Sequence, residues 1–169
     1  MTNVILDEYD LRELPPRERL DKIKEILRDE EDESIRWDAV WLAGEIIDTE
    51  HLKLFDRMQT EIADLMVWVL KNEKNGIVKH EAAFQIGLRN MRDKIPYLFN
   101  TIENDDSDVA RHEAIEALGL MRVQSEDCKK LLRKMAQEPN KAVSETAIFV
   151  LKRLERLRDK GEYRGEAII

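Results

Sequence analysis

The chain is poor in the residues that break helices or staple small folds, with one cysteine, four prolines and six glycines among 169 residues. A single thiol, Cys128, can close no disulfide within the chain and build no thiolate metal cluster, so it reads as a small buried hydrophobe. Scarce glycine and proline, with aromatic residues at only 6%, leave little material for the many turns and strands of a β-sandwich or barrel. The longest apolar run, Leu65-Met66-Val67-Trp68-Val69-Leu70, falls far short of the roughly 20 residues that span a bilayer. Residues 1–8 lack the basic start of a secretory leader. A soluble cytoplasmic protein without a membrane partner is therefore expected.

Positive charge is also in deficit, with 28 lysines and arginines against 36 aspartates and glutamates and a formal net charge of −8. Binding to a nucleic-acid backbone needs a concentrated basic patch, so nucleic acid is not an expected partner. An acidic surface suits a basic or lysine-bearing one.

What the chain has is charge, 38%, interleaved with hydrophobic residues, 43%, at helical spacing. Its length suffices for one domain with its own core. Apolar residues three and four apart predict helices over about 16–29, 34–47, 50–73, 77–91, 96–104, 108–122, 125–136 and 141–158; Leu20, Ile23, Ile26 and Leu27 form the first stripe. Pro15-Pro16 set the first helix start. Asp48 and Thr49 are expected to cap the third helix, and Ser107 and Ser125 two later ones. Gly76 is expected to end the helix that begins near 50. Residues 1–15 read as an N-terminal extension and 159–169 as a flexible tail.

The helices carry a repeat. Val78-Lys79-His80-Glu81-Ala82 and Ala110-Arg111-His112-Glu113-Ala114 each place a basic residue before His-Glu-Ala, and Gly87 and Gly119 each follow their histidine by seven positions. Trp37-Asp38-Ala39, with Gly44, occupies the same register earlier in the chain. Glu145-Thr146-Ala147 occupies it later, with Lys152 where the glycine would stand. Positions 37, 80, 112 and 145 thus align, and spacings of this length mean stacked structural repeats. The reading is an all-α fold, an α-solenoid or superhelix of about four HEAT-like antiparallel helix pairs over 16–158, within a single domain of residues 1–169. A glycine inside a helix costs about 1 kcal/mol, so Gly44, Gly87 and Gly119 imply close helix approach.

Equal register should bring His80 and His112 to the same height on neighbouring helices about 8–10 Å apart. Two imidazoles can then share one metal at about 2.0–2.1 Å, flanked by Glu81 and Glu113. Two imidazoles with a carboxylate leave open positions on non-haem iron for dioxygen, while catalytic zinc or manganese fits as well. A hydrogen-bonded repeat consensus without metal is the competing reading. Gln85 and Glu116, one turn further on, are candidates to hydrogen-bond a bound ligand. Glu145 either adds a carboxylate at the groove edge or is an exposed helix residue. Trp37 either packs in the core or closes the groove; Trp41 and Trp68 read as packing residues and His51 as a surface one.

Val78–Gly87 and Arg111–Gly119 resemble the His-Glu repeats of deoxyhypusine hydroxylases, HEAT-repeat non-haem di-iron monooxygenases that act on the deoxyhypusine side chain of a translation factor. The resemblance covers about 16–158. In that family one chain holds two halves of four repeats, with His-Glu in the middle two of each; this sequence is similar to one half. The resemblance implies iron as cofactor and dioxygen as its ligand. His80, His112 and Glu113 would be iron ligands, and Glu81 a further ligand or the catalytic base that orients a histidine or bound water. A lysine-derived side chain on a basic protein would be the substrate. One half carries half the ligands of a di-iron centre. A two-fold homodimer would restore four His-Glu pairs; otherwise the site is mononuclear, or the repeats form a metal-free scaffold for protein–protein interaction.

Overall fold

The computed structural model describes residues 8–49 and 56–161. Helix α1 spans Glu8–Glu13, α2 Pro16–Asp29, α3 Glu33–Thr49, α4 Asp56–Asn72 and α5 Gly76–Leu88. After a 3-10 turn at Arg92–Lys94 come α6 Ile95–Asn104, α7 Asp108–Leu120, α8 Glu126–Met135 and α9 Lys141–Leu157. No strand occurs among the described residues, and none of their helices is long and apolar enough to cross a membrane.

The helices pair as α2/α3, α4/α5, α6/α7 and α8/α9, and the pairs stack in chain order. The second helices, α3, α5, α7 and α9, pack consecutively into one layer, with the first helices of each pair behind them. The local signals act as the sequence implies. Pro16 opens α2 at its first turn, and Leu20, Ile23, Ile26 and Leu27 are buried on one face. Ser107 Oγ accepts the Ala110 amide at 3.2 Å and Ser125 Oγ the Cys128 amide at 3.3 Å, satisfying donors that a helix start leaves orphaned.

The repeat positions mesh across each inner-layer interface. A Cβ built on Gly87 would lie 2.8 Å from Ala117 Cβ and 2.9 Å from its Cα, so α5 and α7 touch there through backbone. The equivalent point on Gly119 meets the Val150 methyls at 3.0 Å. The basic residue of the motif has a matching task. Arg36 Nε binds Glu73 at 2.7 Å, Lys79 Nζ binds Asp105 at 2.8 Å and Arg111 Nη2 binds Glu138 at 3.3 Å. Each ties an inner helix to the loop that leads into the next inner helix.

Several local expectations are corrected. The N-terminal extension contains α1, which buries Leu11 and pairs Arg12 with Glu45. Asp48 and Thr49 lie inside α3, and Asp48 pairs with Arg89 instead of capping a helix. Gly76 opens α5 and does not close α4; Asn75 caps α5 by accepting the Ile77 amide at 2.8 Å, and a side chain at 76 would run into Ser107. Trp41 and Trp68 are 38% and 39% exposed, not core. Cys128 is buried as expected. His51 and residues 162–169 lie outside the described residues.

Candidate metal centre

Buried alanines Ala82, Ala114 and Ala147 hold α5, α7 and α9 close. The residues around them therefore face one another across the inner layer. His80 on α5 reaches Glu113 on α7, Nε2 to Oε2 at 3.0 Å. One repeat on, His112 on α7 reaches Thr146 on α9, Nδ1 to Oγ1 at 2.7 Å. In both cases the histidine meets the residue one position past the aligned histidine of the following repeat. The expected pairing at equal height is thus a stagger by one residue.

Helical spacing gathers ligand atoms on α7 itself, where His112, Glu113 and Glu116 stand at i, i+1 and i+4. One ligand atom each from His112, Glu113 and Glu116 lie within 4.8 Å of one another, with His112 Nε2 3.6 Å from Glu116 Oε1. Glu113 is 6% exposed, whereas Glu116 faces solvent. Glu113 and Glu116 open on a groove of about 500 Å3, joined by His80 on the polar side and by Phe84, Leu120, Phe149 and Val150 on the apolar side. Arg153 also lines this groove and caps the inner layer by donating from Nε to the Gly119 carbonyl at 3.2 Å.

Glu81, 4% exposed, stands apart from that cluster. The stagger would give it a partner at position 37, but that position holds Trp37, which packs against the core and stacks on Trp41 at 6.3 Å with planes 3° apart. Gln85 supplies the bond instead, donating from Nε2 to Glu81 Oε1 at 2.6 Å. The amide orientation of Gln85 is fixed because Arg89, which also binds the Gly44 carbonyl at 2.8 Å and pairs with Asp48, donates to Gln85 Oε1. Gly44 leaves the room this amide needs. Burial pushes the Glu81 carboxyl up, outweighing the Gln85 bond. His80 is raised by its bond to Glu113, against the opposing effect of burial.

Imidazole and carboxylate donors, with no sulfur, fit a ferrous-type divalent ion. Cys128 lies elsewhere, on α8, its thiol pushed up to about 12 by burial. Of the residues picked out from sequence, His112, Glu113 and Glu116 come together, His80 joins them through Glu113, and Glu81 is held by Gln85. Glu145 is exposed. Thr146 and Arg89 are the residues that sequence reasoning passed over. Thr146 was legible in principle, because it fills the glutamate position of the fourth repeat.

Comparison with known proteins matches residues 63–152 to a family model described as HEAT repeats. Deoxyhypusine hydroxylase of Gallus gallus is 32% identical over 96 residues, covering 56% of this chain and 31% of that protein. The Schizosaccharomyces pombe protein of the same name is 27% identical over 134 residues, covering 73% of this chain and 41% of its own length. The solved structure of human deoxyhypusine hydroxylase in complex with glycerol superposes with a TM-score of 0.67 at 21% identity, over 88% of this chain and 47% of that one, a likeness of fold. The chain thus spans less than half the length of these relatives. It belongs to the HEAT-repeat family and is similar, along that stretch, to deoxyhypusine hydroxylase.

Proposed function

We propose that this chain is a non-haem iron protein of the deoxyhypusine hydroxylase type, hydroxylating a lysine-derived side chain on a basic protein. The observation that supports this best is the convergence of His112, Glu113 and Glu116 within 4.8 Å, with Glu113 and Glu116 on the wall of a groove, in a chain whose curated relatives carry that name. His112, Glu113 and Glu116 would hold the ion, and His80 orients the Glu113 carboxylate. Glu81, braced by Gln85, is a buried base on α5, set apart from them. When bound, the iron supplies dioxygen binding and activation. The apolar wall of Phe84, Leu120 and Phe149 takes the aliphatic part of the substrate and excludes water, while the net charge of −8 draws in a basic protein. A second copy of the chain, placed by two-fold symmetry, contributes the other half of a di-iron centre.

The test begins with protein purified without added metal. Iron near one per chain, a dimer by solution mass, and a gain of one oxygen atom on a deoxyhypusine-bearing peptide with ferrous iron, reductant and air are the expected results. A chain that holds no iron and leaves the peptide unchanged, with stability untouched in His112→Ala, would leave a metal-free scaffold as the better description.

A further inference from the structure

His112 and Thr146 meet at 2.7 Å, Nδ1 to Oγ1. Thr146 is 8% exposed and its hydroxyl sits 2.5 Å from the Ala142 carbonyl, one turn back on α9. A hydroxyl has one proton and two acceptor positions, while a carbonyl oxygen only accepts. If the hydroxyl proton pointed at His112, two oxygen lone pairs would face each other at 2.5 Å across the Thr146–Ala142 contact. The proton therefore goes to Ala142, and Thr146 Oγ1 must accept from His112. That places the imidazole proton on Nδ1 and leaves Nε2 bare, on the side of Glu116 and the ligand cluster.

His80 is set the other way. Its Nε2 faces the Glu113 carboxylate at 3.0 Å, and a carboxylate accepts, so this nitrogen carries a proton. Two histidines in the same register of adjacent repeats thus present opposite nitrogens to their partners. Resting on the metal reading above, we infer that Thr146 is a positioning residue that fixes His112 as the Nδ1–H tautomer, ready to bind a divalent cation through Nε2. The oriented ring spends no binding free energy on choosing its tautomer, which is the usual contribution of the group behind a ligating histidine.

The experiment uses the full chain with its histidines labelled by nitrogen-15, stripped of metal, at about pH 8.5, above the ordinary histidine range. Long-range proton–nitrogen correlation spectra report which ring nitrogen is protonated. Wild type should show His112 protonated at Nδ1. Thr146→Val, of the same shape without an acceptor, should shift His112 toward the other tautomer and leave His80 unchanged, and Thr146→Ser should restore the wild-type pattern. Thr146→Ala takes the place of the valine variant if that one does not fold. Cobalt(II) titration of the same proteins should show affinity about 10–100-fold weaker in Thr146→Val, recovered in Thr146→Ser. A His112 tautomer that does not respond to loss of the Thr146 hydroxyl overturns the inference. Wild type that takes up no cobalt overturns the metal reading alone, because the tautomer measurement needs no metal.

Discussion

Lys79 and His80 are neighbours on α5 and both reach into the next repeat, yet the two contacts belong to different ladders. The lysine contact recurs at each inner interface as Arg36–Glu73, Lys79–Asp105 and Arg111–Glu138. The histidine contact changes from repeat to repeat: Trp37 stacks on Trp41 of its own helix, whereas His80 meets Glu113 and His112 meets Thr146 across the interface. A contact that stacking requires is found wherever repeats stack. One that changes identity along the stack is free to serve something else, and it changes where the ligand cluster lies.

The ladders should therefore separate under mutation, and the largest effect falls on metal. His112→Ala with Glu113→Ala should weaken cobalt(II) binding by more than the roughly 100-fold of a lost orienting partner, with the helical circular-dichroism signal retained. Lys79→Met should do the reverse. It leaves Asp105, whose side chain is 8% exposed, with no cation and only the Ser107 amide as partner, and breaking one side of a buried pair costs about 3 kcal/mol. Chemical denaturation should show that loss with cobalt affinity changed less than about twofold (about 0.4 kcal/mol, within the usual additivity of separate sites). Equal loss of metal in both variants would merge the ladders into one.

The glycine contacts give the next effect. Gly87→Ala drives a methyl against Ala117 backbone, 2.9 Å from its Cα, and should destabilise by about 2 kcal/mol. Gly119→Ala meets only the Val150 methyls at 3.0 Å, which can shift, so its cost should be the smaller one in thermal melts. The reverse order would mean that α7 and α9 are the more tightly meshed pair.

These contrasts also mark what the sequence could disclose. Helix spacing and the Ala and Gly offsets were readable because they express packing of near neighbours along one chain direction, and the repeat register followed from them. The stagger was not readable. It depends on how far one helix slides along the next, which places Glu113 rather than His112 opposite His80. The Gln85–Arg89–Asp48 chain behind Glu81 crosses from α5 to α3 and left no spacing to detect. Gly76 misled because glycine ends helices by conformation, whereas here it makes room for Ser107. The exposed Trp41 shows that a large apolar side chain on a helix need not face the core.

The smallest effect comes from the outer layer, where Glu61 on α4 binds Arg17 at 2.8 Å and Lys24 at 3.1 Å, both on α2. The Arg17 and then the Lys24 hydrogen bonds hold its carboxyl down at about 2, against an ordinary 4.5. A depressed carboxyl stabilises the folded state above its unfolded value, and that contribution drains away as pH falls from 4.5 toward 2. With side chains 38–47% exposed, water and salt screen most of it, so Glu61→Gln should cost less than about 1 kcal/mol at neutral pH. The variant's stability should fall less steeply than wild type over that acid window, and the difference should shrink in molar salt. The Arg36–Glu73 pair, with side chains only 14% and 5% exposed, should keep its contribution in the same salt. If both respond alike, burial is not what distinguishes the inner ladder from the outer surface.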